Sequence, residues 1–98
     1  MDKFVVKLAQ CPYAVKEPPP PIEVVERPLG REKAMGLAWV EDRRVEIDSR
    51  LTSLEFLDTL LHELLHIYNP EWSEIKVAQT ATEIAMIIWA KDYRRIRE

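Results

Sequence analysis

The strongest constraint on the fold is a single interruption, Asn69-Pro70, between two long segments with helical periodicity. Proline lacks a backbone N–H and restricts the residue before it, so a first helix must end near Tyr68. A second helix is predicted to begin at Ser73, because serine is a favourable N-cap residue. Since residues 69–72 are too few for a long excursion, the two helices should lie side by side as an antiparallel hairpin.

The first half of the chain predicts strands rather than helices. A short strand is expected at residues 4–9, and the prolines at 18–21 can form neither a helix nor a central strand. They predict a stiff, extended connector. Three further strands are expected at residues 22–26, 35–40 and 44–47, where apolar residues alternate with polar ones or turn signals follow.

These elements predict one α+β domain, in which a small, mostly antiparallel sheet packs on the helical hairpin. A chain of 98 residues has room for one modest core. The expected organisation is an N-terminal strand and proline-rich arm at 1–21, a sheet at 22–48, a first helix at 52–69 and a second at 73–97. Thr52 and Glu55 have the spacing of a capping box at the start of the first helix.

Charge and composition exclude several classes of protein. The net charge of −3 provides no general basic field for nucleic acid, although residues 94–97 include three arginines. The longest uncharged run in the second helix is far shorter than the roughly 20 apolar residues of a membrane span. One cysteine and a charged N-terminus favour a cytoplasmic protein. We therefore expect no membrane partner, a nucleic acid partner is unsupported rather than excluded, and the oligomeric state stays open.

The first predicted helix contains HELLH, with His62 and His66 four residues apart and Glu63 between them. This spacing puts both imidazoles on one side of the helix, where they can share Zn²⁺. Zinc would activate a water molecule, and the glutamate would accept its proton during hydrolysis of a peptide bond. The competing interpretation is an amphipathic helix whose polar face simply presents two histidines to solvent.

A catalytic zinc ion usually has three protein ligands, so a third ligand is expected downstream. The candidates are Glu71, Glu74 and Glu83. In a helix beginning at Ser73, Glu74 lies on the same line as three alanines, whereas Glu83 is about 180° away. Glu74 is therefore expected beside His66, with Glu71 as a reserve. The alternative for Glu74 is an acidic residue that only stabilises the helix N-terminus.

The hairpin strands, the segment "LDTLLHELLHIYNPEWSE" and the helix ending in "IIWAKDYRR" resemble the small HExxH metallopeptidases of bacteria, archaea and phages, including minimal gluzincins. The resemblance covers roughly residues 37–95. It implies a zincin-like fold in which His62, His66 and Glu74 bind zinc and Glu63 is the general base. The spacing to Glu74 is shorter than in large gluzincins, and their Asn-Glu-x-x-x-Asp signature is absent.

The same resemblance implies that the outer strand, at residues 36–40, runs along the cleft and pairs with an extended peptide or protein substrate. Candidates for stabilising the oxyanion are Tyr68, Tyr93 and Arg94, and Asp58 could orient a ligand imidazole. Cys11 could supply a thiolate to the open zinc position and keep the enzyme latent.

Two other functions stay open at this stage. One is a non-catalytic zincin-like module for metal binding, regulation or protein interaction. The other is a DNA-associated protease of the SprT-like kind, which the motif and the C-terminal arginines suggest.

Overall fold

A computed structural model of the chain describes residues 2–6, 19–51 and 53–96. A four-stranded sheet comes first and two helices follow, so the predicted α+β class is confirmed. The elements are β1 (Asp2–Val6), β2 (Ile22–Arg27), β3 (Gly36–Trp39), β4 (Arg44–Asp48), α1 (Ser53–Tyr68) and α2 (Glu74–Ala90), with a short 3-10 helix at Gly30–Glu32.

The sheet is mixed, and its strand order is β1-β2-β4-β3. β1 pairs with β2 and β3 pairs with β4 in antiparallel fashion, whereas the central pair β2 and β4 is parallel. The parallel pair arises because the chain leaves β2, forms β3 at the far edge and returns through a tight turn into β4. β3 is therefore an edge strand of the sheet in the described residues.

The strand predictions differ from the structure mainly at the ends. The three strands expected at 22–26, 35–40 and 44–47 are present as β2, β3 and β4. The first strand was expected at 4–9, but β1 occupies Asp2–Val6. Residues 7–18, which include Cys11 and the start of the proline connector, lie outside the described residues. Thr52 also lies outside them, so the predicted capping box stays a prediction.

The core lies between one face of the sheet and α1. Its central cluster is formed by Ile22, Val24, Val45 and Ile67, against which Ala38, Leu60 and Leu64 pack. Full burial of an aliphatic side chain contributes about 1.5–3 kcal/mol, so this cluster is a main source of stability. It also fixes α1 against the sheet, which determines where the HELLH segment lies.

Helix α2 packs along α1 through small side chains. The buried residues of α2 are Val77, Ala81 and Ala85, so two of the three alanines on the predicted line are buried, and the third, Ala78, is half-buried. The predicted cap is confirmed, because Ser73 Oγ accepts a hydrogen bond of 3.1 Å from Lys76 N–H. Thr82 Oγ1 donates to the Asp58 carboxylate at 3.1 Å and links the two helices further along.

The predicted end of the second helix at residue 97 is wrong, because α2 ends at Ala90. Asp92 has a φ of 64°, a left-handed conformation that turns the chain out of the helix. The Arg94 side chain then reaches back, donating a 2.8 Å hydrogen bond to the Trp89 carbonyl while its guanidinium lies over the Trp89 ring. These contacts replace the helical hydrogen bonds expected from local sequence.

The C-terminal segment returns to the sheet through Arg95. Its guanidinium donates two hydrogen bonds, of 2.9 and 2.7 Å, to the Glu26 carboxylate and lies over the Phe56 ring. Arg94 and Arg95 are thus both engaged within the chain.

Neither helix is suited to crossing a membrane. Within the described part of the chain, no helix is both long enough and apolar enough to do so.

Candidate metal centre

His62 and His66 lie in the second half of α1, one turn apart on the same side. Their ring centroids are 5.0 Å apart, and the rings meet edge to face with an interplanar angle of 63°. The side chains are only 21% and 23% exposed. The two histidines therefore do not extend freely into solvent, as the interpretation of an ordinary surface helix would require.

The first residue of α2, Glu74, contacts both histidines with its carboxylate. Oε1 is 2.6 Å from His62 Nε2, and Oε2 is 2.8 Å from His66 Nε2. One ligand atom from each residue can be chosen so that all three lie within 4.8 Å of one another. Two imidazole nitrogens and a carboxylate are a frequent donor set for three-ligand metal sites. This group could therefore hold a metal ion.

The position of Glu74 follows from its local sequence. Asn69-Pro70 ends α1, and the Ser73 cap starts α2 so that its first residue lies beside the last two turns of α1. The other candidates, Glu71 and Glu83, are exposed and do not belong to the three-ligand group found in the described residues.

Glu63 lies beside this group but is buried rather than exposed. Only 8% of the residue is accessible, because β3 covers it from one side. Burial raises the pKa of its carboxyl group above the ordinary value; the neighbouring His62 and His66 lower that pKa, and Glu74 raises it further. A buried carboxylate with a raised pKa, next to a possible metal site, is suited to accepting a proton.

The group opens into a cleft of about 350 Å³ between α1, the start of α2 and the edge strand. Four residues of segment 36–40 line the cleft. The lining residues are Gly36, Leu37, Ala38, Val40, His62, Glu63, His66, Pro70 and Glu74. One wall is therefore formed by a strand segment with apolar side chains, and the other carries the titratable groups.

The residues considered for stabilising an oxyanion do not line this cleft. Tyr68 is 55% exposed with Arg43 over its ring, and Tyr93 is 70% exposed. Arg94 is bound to Trp89 at the other end of α2. Asp58, considered as a partner for a ligand imidazole, instead accepts the hydrogen bond from Thr82.

Sequence reasoning missed the contribution of Gly36. A Cβ built on this glycine would lie 2.8 Å from Glu63 Cγ and 2.8 Å from Thr59 Cγ2, too close for any other residue without movement. The available signal was a glycine inside a predicted strand, which often marks the close approach of another element. Which element approached could not be read from the sequence.

Comparisons with protein-family models, curated proteins and solved structures found no match for this chain. The resemblance to small HExxH metallopeptidases therefore stays a prediction from the sequence, made from the strand hairpin, the segment that contains HELLH and the second helix.

Proposed function

We propose that this protein is a zinc-dependent metallopeptidase with a minimal zincin-like fold. In this proposal, His62, His66 and Glu74 hold the ion, and the two helices form the antiparallel hairpin typical of the gluzincin-like arrangement. The observation that carries the proposal is the meeting of these three side chains, at 2.6 and 2.8 Å, in a cleft that also contains the buried Glu63.

Zinc bound at such a site supplies Lewis acidity, which activates water and polarises the carbonyl of the scissile bond. The chain itself supplies the proton transfers. Glu63 takes a proton from the attacking water, whose oxygen bonds to the carbonyl carbon, and later passes a proton to the departing amine nitrogen as the C–N bond breaks. The raised pKa of Glu63 supports this assignment, because a stronger base holds the transferred proton better.

The proposed substrate is a peptide or protein segment in extended form. β3 is an edge strand in the described sheet and lines the cleft, so its outer backbone groups are available to pair with such a segment. Pairing of this kind gives affinity through main-chain hydrogen bonds and places a peptide bond beside the catalytic groups.

A non-catalytic metal-binding module is the second candidate, and one observation favours it. Among the lining residues, no side chain beyond the metal group and Glu63 can donate a hydrogen bond to an oxyanion. The SprT-like alternative has less support, because Arg94 and Arg95 are occupied by Trp89, Glu26 and Phe56.

The decisive test compares wild type with Glu63→Gln in a peptide-library and casein cleavage assay, with zinc content measured on the same samples. We expect wild type to cleave and Glu63→Gln to lose at least about 100-fold in rate while retaining zinc, because general base catalysis contributes 10²–10⁴. Zinc binding without cleavage by wild type, over a broad range of conditions, would favour the non-catalytic module.

A further inference from the structure

The bare backbone of Gly36 lies against the side chain of Glu63. A Cβ added there would be 2.8 Å from Glu63 Cγ and 2.9 Å from Glu63 Oε2, and 2.8 Å from Thr59 Cγ2. Real Cβ atoms do not approach other heavy atoms this closely. The glycine is not required by backbone conformation, because neither glycine of the chain has a positive φ. Its role is therefore to leave space for the side chains of Glu63 and Thr59.

β3 cannot easily move away to make room for a larger residue. Gly36 is paired with Ile47, which is completely buried in the middle of the fold. The preceding residue, Met35, accepts a 2.8 Å backbone hydrogen bond from Asp48 N–H. The position of β3 at this point is thus fixed by the sheet and by the core behind it.

Thr59 forms the second wall of the same space. It precedes Glu63 by four residues on α1, so the two side chains are neighbours on one helix face, and both are buried. Within the part of the chain that the structure describes, no hydrogen bond holds the Glu63 carboxylate. Its orientation is therefore set by packing between Gly36 and Thr59 rather than by a polar partner.

We propose that Gly36 is a positioning residue, whose missing side chain allows β3 and Thr59 to hold the Glu63 carboxylate toward the cleft. This inference rests on the proposed function, since positioning matters for a general base that must meet the attacking water. A Cβ at position 36 would push the Glu63 carboxylate away from its site. Errors of about 1 Å in catalytic geometry can cost about 100-fold in rate.

The chain contains a matched control in its other glycine, Gly30. A Cβ at Gly30 would meet only the end of the flexible Arg50 side chain, at 3.1 Å from Nη2. We expect Gly36→Ala to retain zinc but to lose about 10- to 100-fold in kcat with a smaller change in KM. Gly30→Ala should keep both constants and zinc content close to those of wild type. Equal kcat values in the two variants would overturn the proposal.

A second measurement does not depend on catalysis. In the metal-free protein, Gly36→Ala should lower Tm by about 5–15 °C. The added methyl group overpacks the space beside Glu63 and lowers the free energy of unfolding, and in a domain of this size such a loss shifts Tm by several degrees. A background that carries Thr59→Ser and Glu63→Ala lacks the three atoms nearest to the added Cβ. In that background, Gly36→Ala should lower Tm no more than Gly30→Ala does. If Gly36→Ala alone does not fold, recovery of folding in that background gives the same result.

The two measurements separate failure of this inference from failure of the proposed function. If wild type cleaves no peptide, the proposed function fails. The Tm values of Gly36→Ala, with and without Thr59→Ser and Glu63→Ala, then still test whether Gly36 makes room for Glu63. If the effects of Gly36→Ala and of the background are additive in Tm, Gly36 does not act on Glu63 and the inference is wrong.

Discussion

The sheet and the cleft both bury glutamate residues, but they treat the carboxylates in opposite ways. Glu46 in β4 is 1% exposed and is paired with Arg27, at 2.7 Å, and with Arg44. Glu63 in the cleft is 8% exposed, and the titratable groups that act on its pKa are two imidazoles and another carboxylate. A buried charge is costly unless it is paired, so the unpaired one calls for an explanation other than stability.

The difference indicates that Glu46 stabilises the fold, whereas Glu63 is a candidate for the proposed chemistry. The sheet network satisfies its acids with arginines: Asp48 likewise accepts hydrogen bonds from Arg50, the shortest at 2.7 Å. Among the described residues no arginine or lysine is paired with Glu63, and burial raises its pKa. Groups whose environment opposes their charged form concentrate at functional sites.

The largest expected effect is on zinc affinity, and it should distinguish Glu74 from Glu83, two exposed glutamates of α2. Glu74→Ala removes one proposed ligand, and we expect zinc affinity to fall by more than about 100-fold, since even outer-shell changes cost 10- to 100-fold. Glu83→Ala, the matched control, should bind zinc like wild type. Competition titration with a chromophoric chelator measures both. Equal affinities for wild type and Glu74→Ala would refute the ligand assignment.

The second prediction tests the contrast between Glu46 and Glu63 directly, with the same substitution at both sites. At pH 7 and without metal, Glu46→Gln should lower the free energy of unfolding by about 1–3 kcal/mol, because Arg27 and Arg44 each lose one of their charged partners. Glu63→Gln should leave it unchanged or raise it, since a desolvated charge is removed. Urea denaturation measures both values. If Glu63→Gln lowered the free energy of unfolding as much as Glu46→Gln does, the proposed difference between the two carboxylates would be wrong.

The third prediction concerns the pH dependence of stability. Hydrogen bonds from the Arg50 guanidinium hold the pKa of Asp48 well below its usual range. Because the folded pKa is depressed, this contribution to stability is complete above the unfolded pKa of about 3.9 and is lost as the pH falls toward the folded value. Asp48→Asn should therefore flatten the loss of stability below about pH 4, as measured by urea denaturation at several pH values.

In the metal-free protein, Glu63 should give stability the opposite pH dependence to that given by Asp48. Its folded pKa is raised, so stability falls as the pH rises from the unfolded pKa of about 4.3 through the folded value. Glu63→Gln should remove this decline while Asp48→Asn leaves it in place. A decline that persists in Glu63→Gln would show that another group causes it.

The smallest expected effect concerns Asp58, which the sequence suggested as a partner for a ligand imidazole. Because Asp58 accepts a hydrogen bond from Thr82, we expect Asp58→Asn to change zinc affinity less than about 10-fold, the lower end for residues that orient ligands. Thr82→Ala should lower the free energy of unfolding by about 0.5–1.5 kcal/mol. A larger loss of zinc affinity in Asp58→Asn would restore the orienting role.

The features that were predictable from the sequence are local ones. The Asn69-Pro70 break and the Ser73 cap act within a few residues, and they are what carries Glu74 to His62 and His66. The edge position of β3 was expected only from the resemblance to small HExxH metallopeptidases, which implied an outer strand along the cleft. Spacing within one helix and across one short connection is therefore enough to propose this metal group.

The features that escaped prediction depend on distant contacts. The parallel pairing of β2 and β4 joins strands that are not consecutive in the chain. The end of α2 depends on Asp92 leaving the helical conformation and on Arg94 stacking over Trp89, against a sequence that favours a longer helix. The pairing of Glu46 with Arg27 crosses the same two strands. Tertiary contacts of this kind override local preference.

The most direct test of the central claim is the zinc content of wild-type protein purified without chelator, measured by inductively coupled plasma mass spectrometry. The proposed ligand set predicts about one zinc per chain, as in other three-ligand catalytic sites. It also predicts loss of that zinc when His62 and His66 are both replaced by alanine. Less than about a tenth of a zinc per chain in wild type, even after reconstitution with excess zinc, would contradict the account.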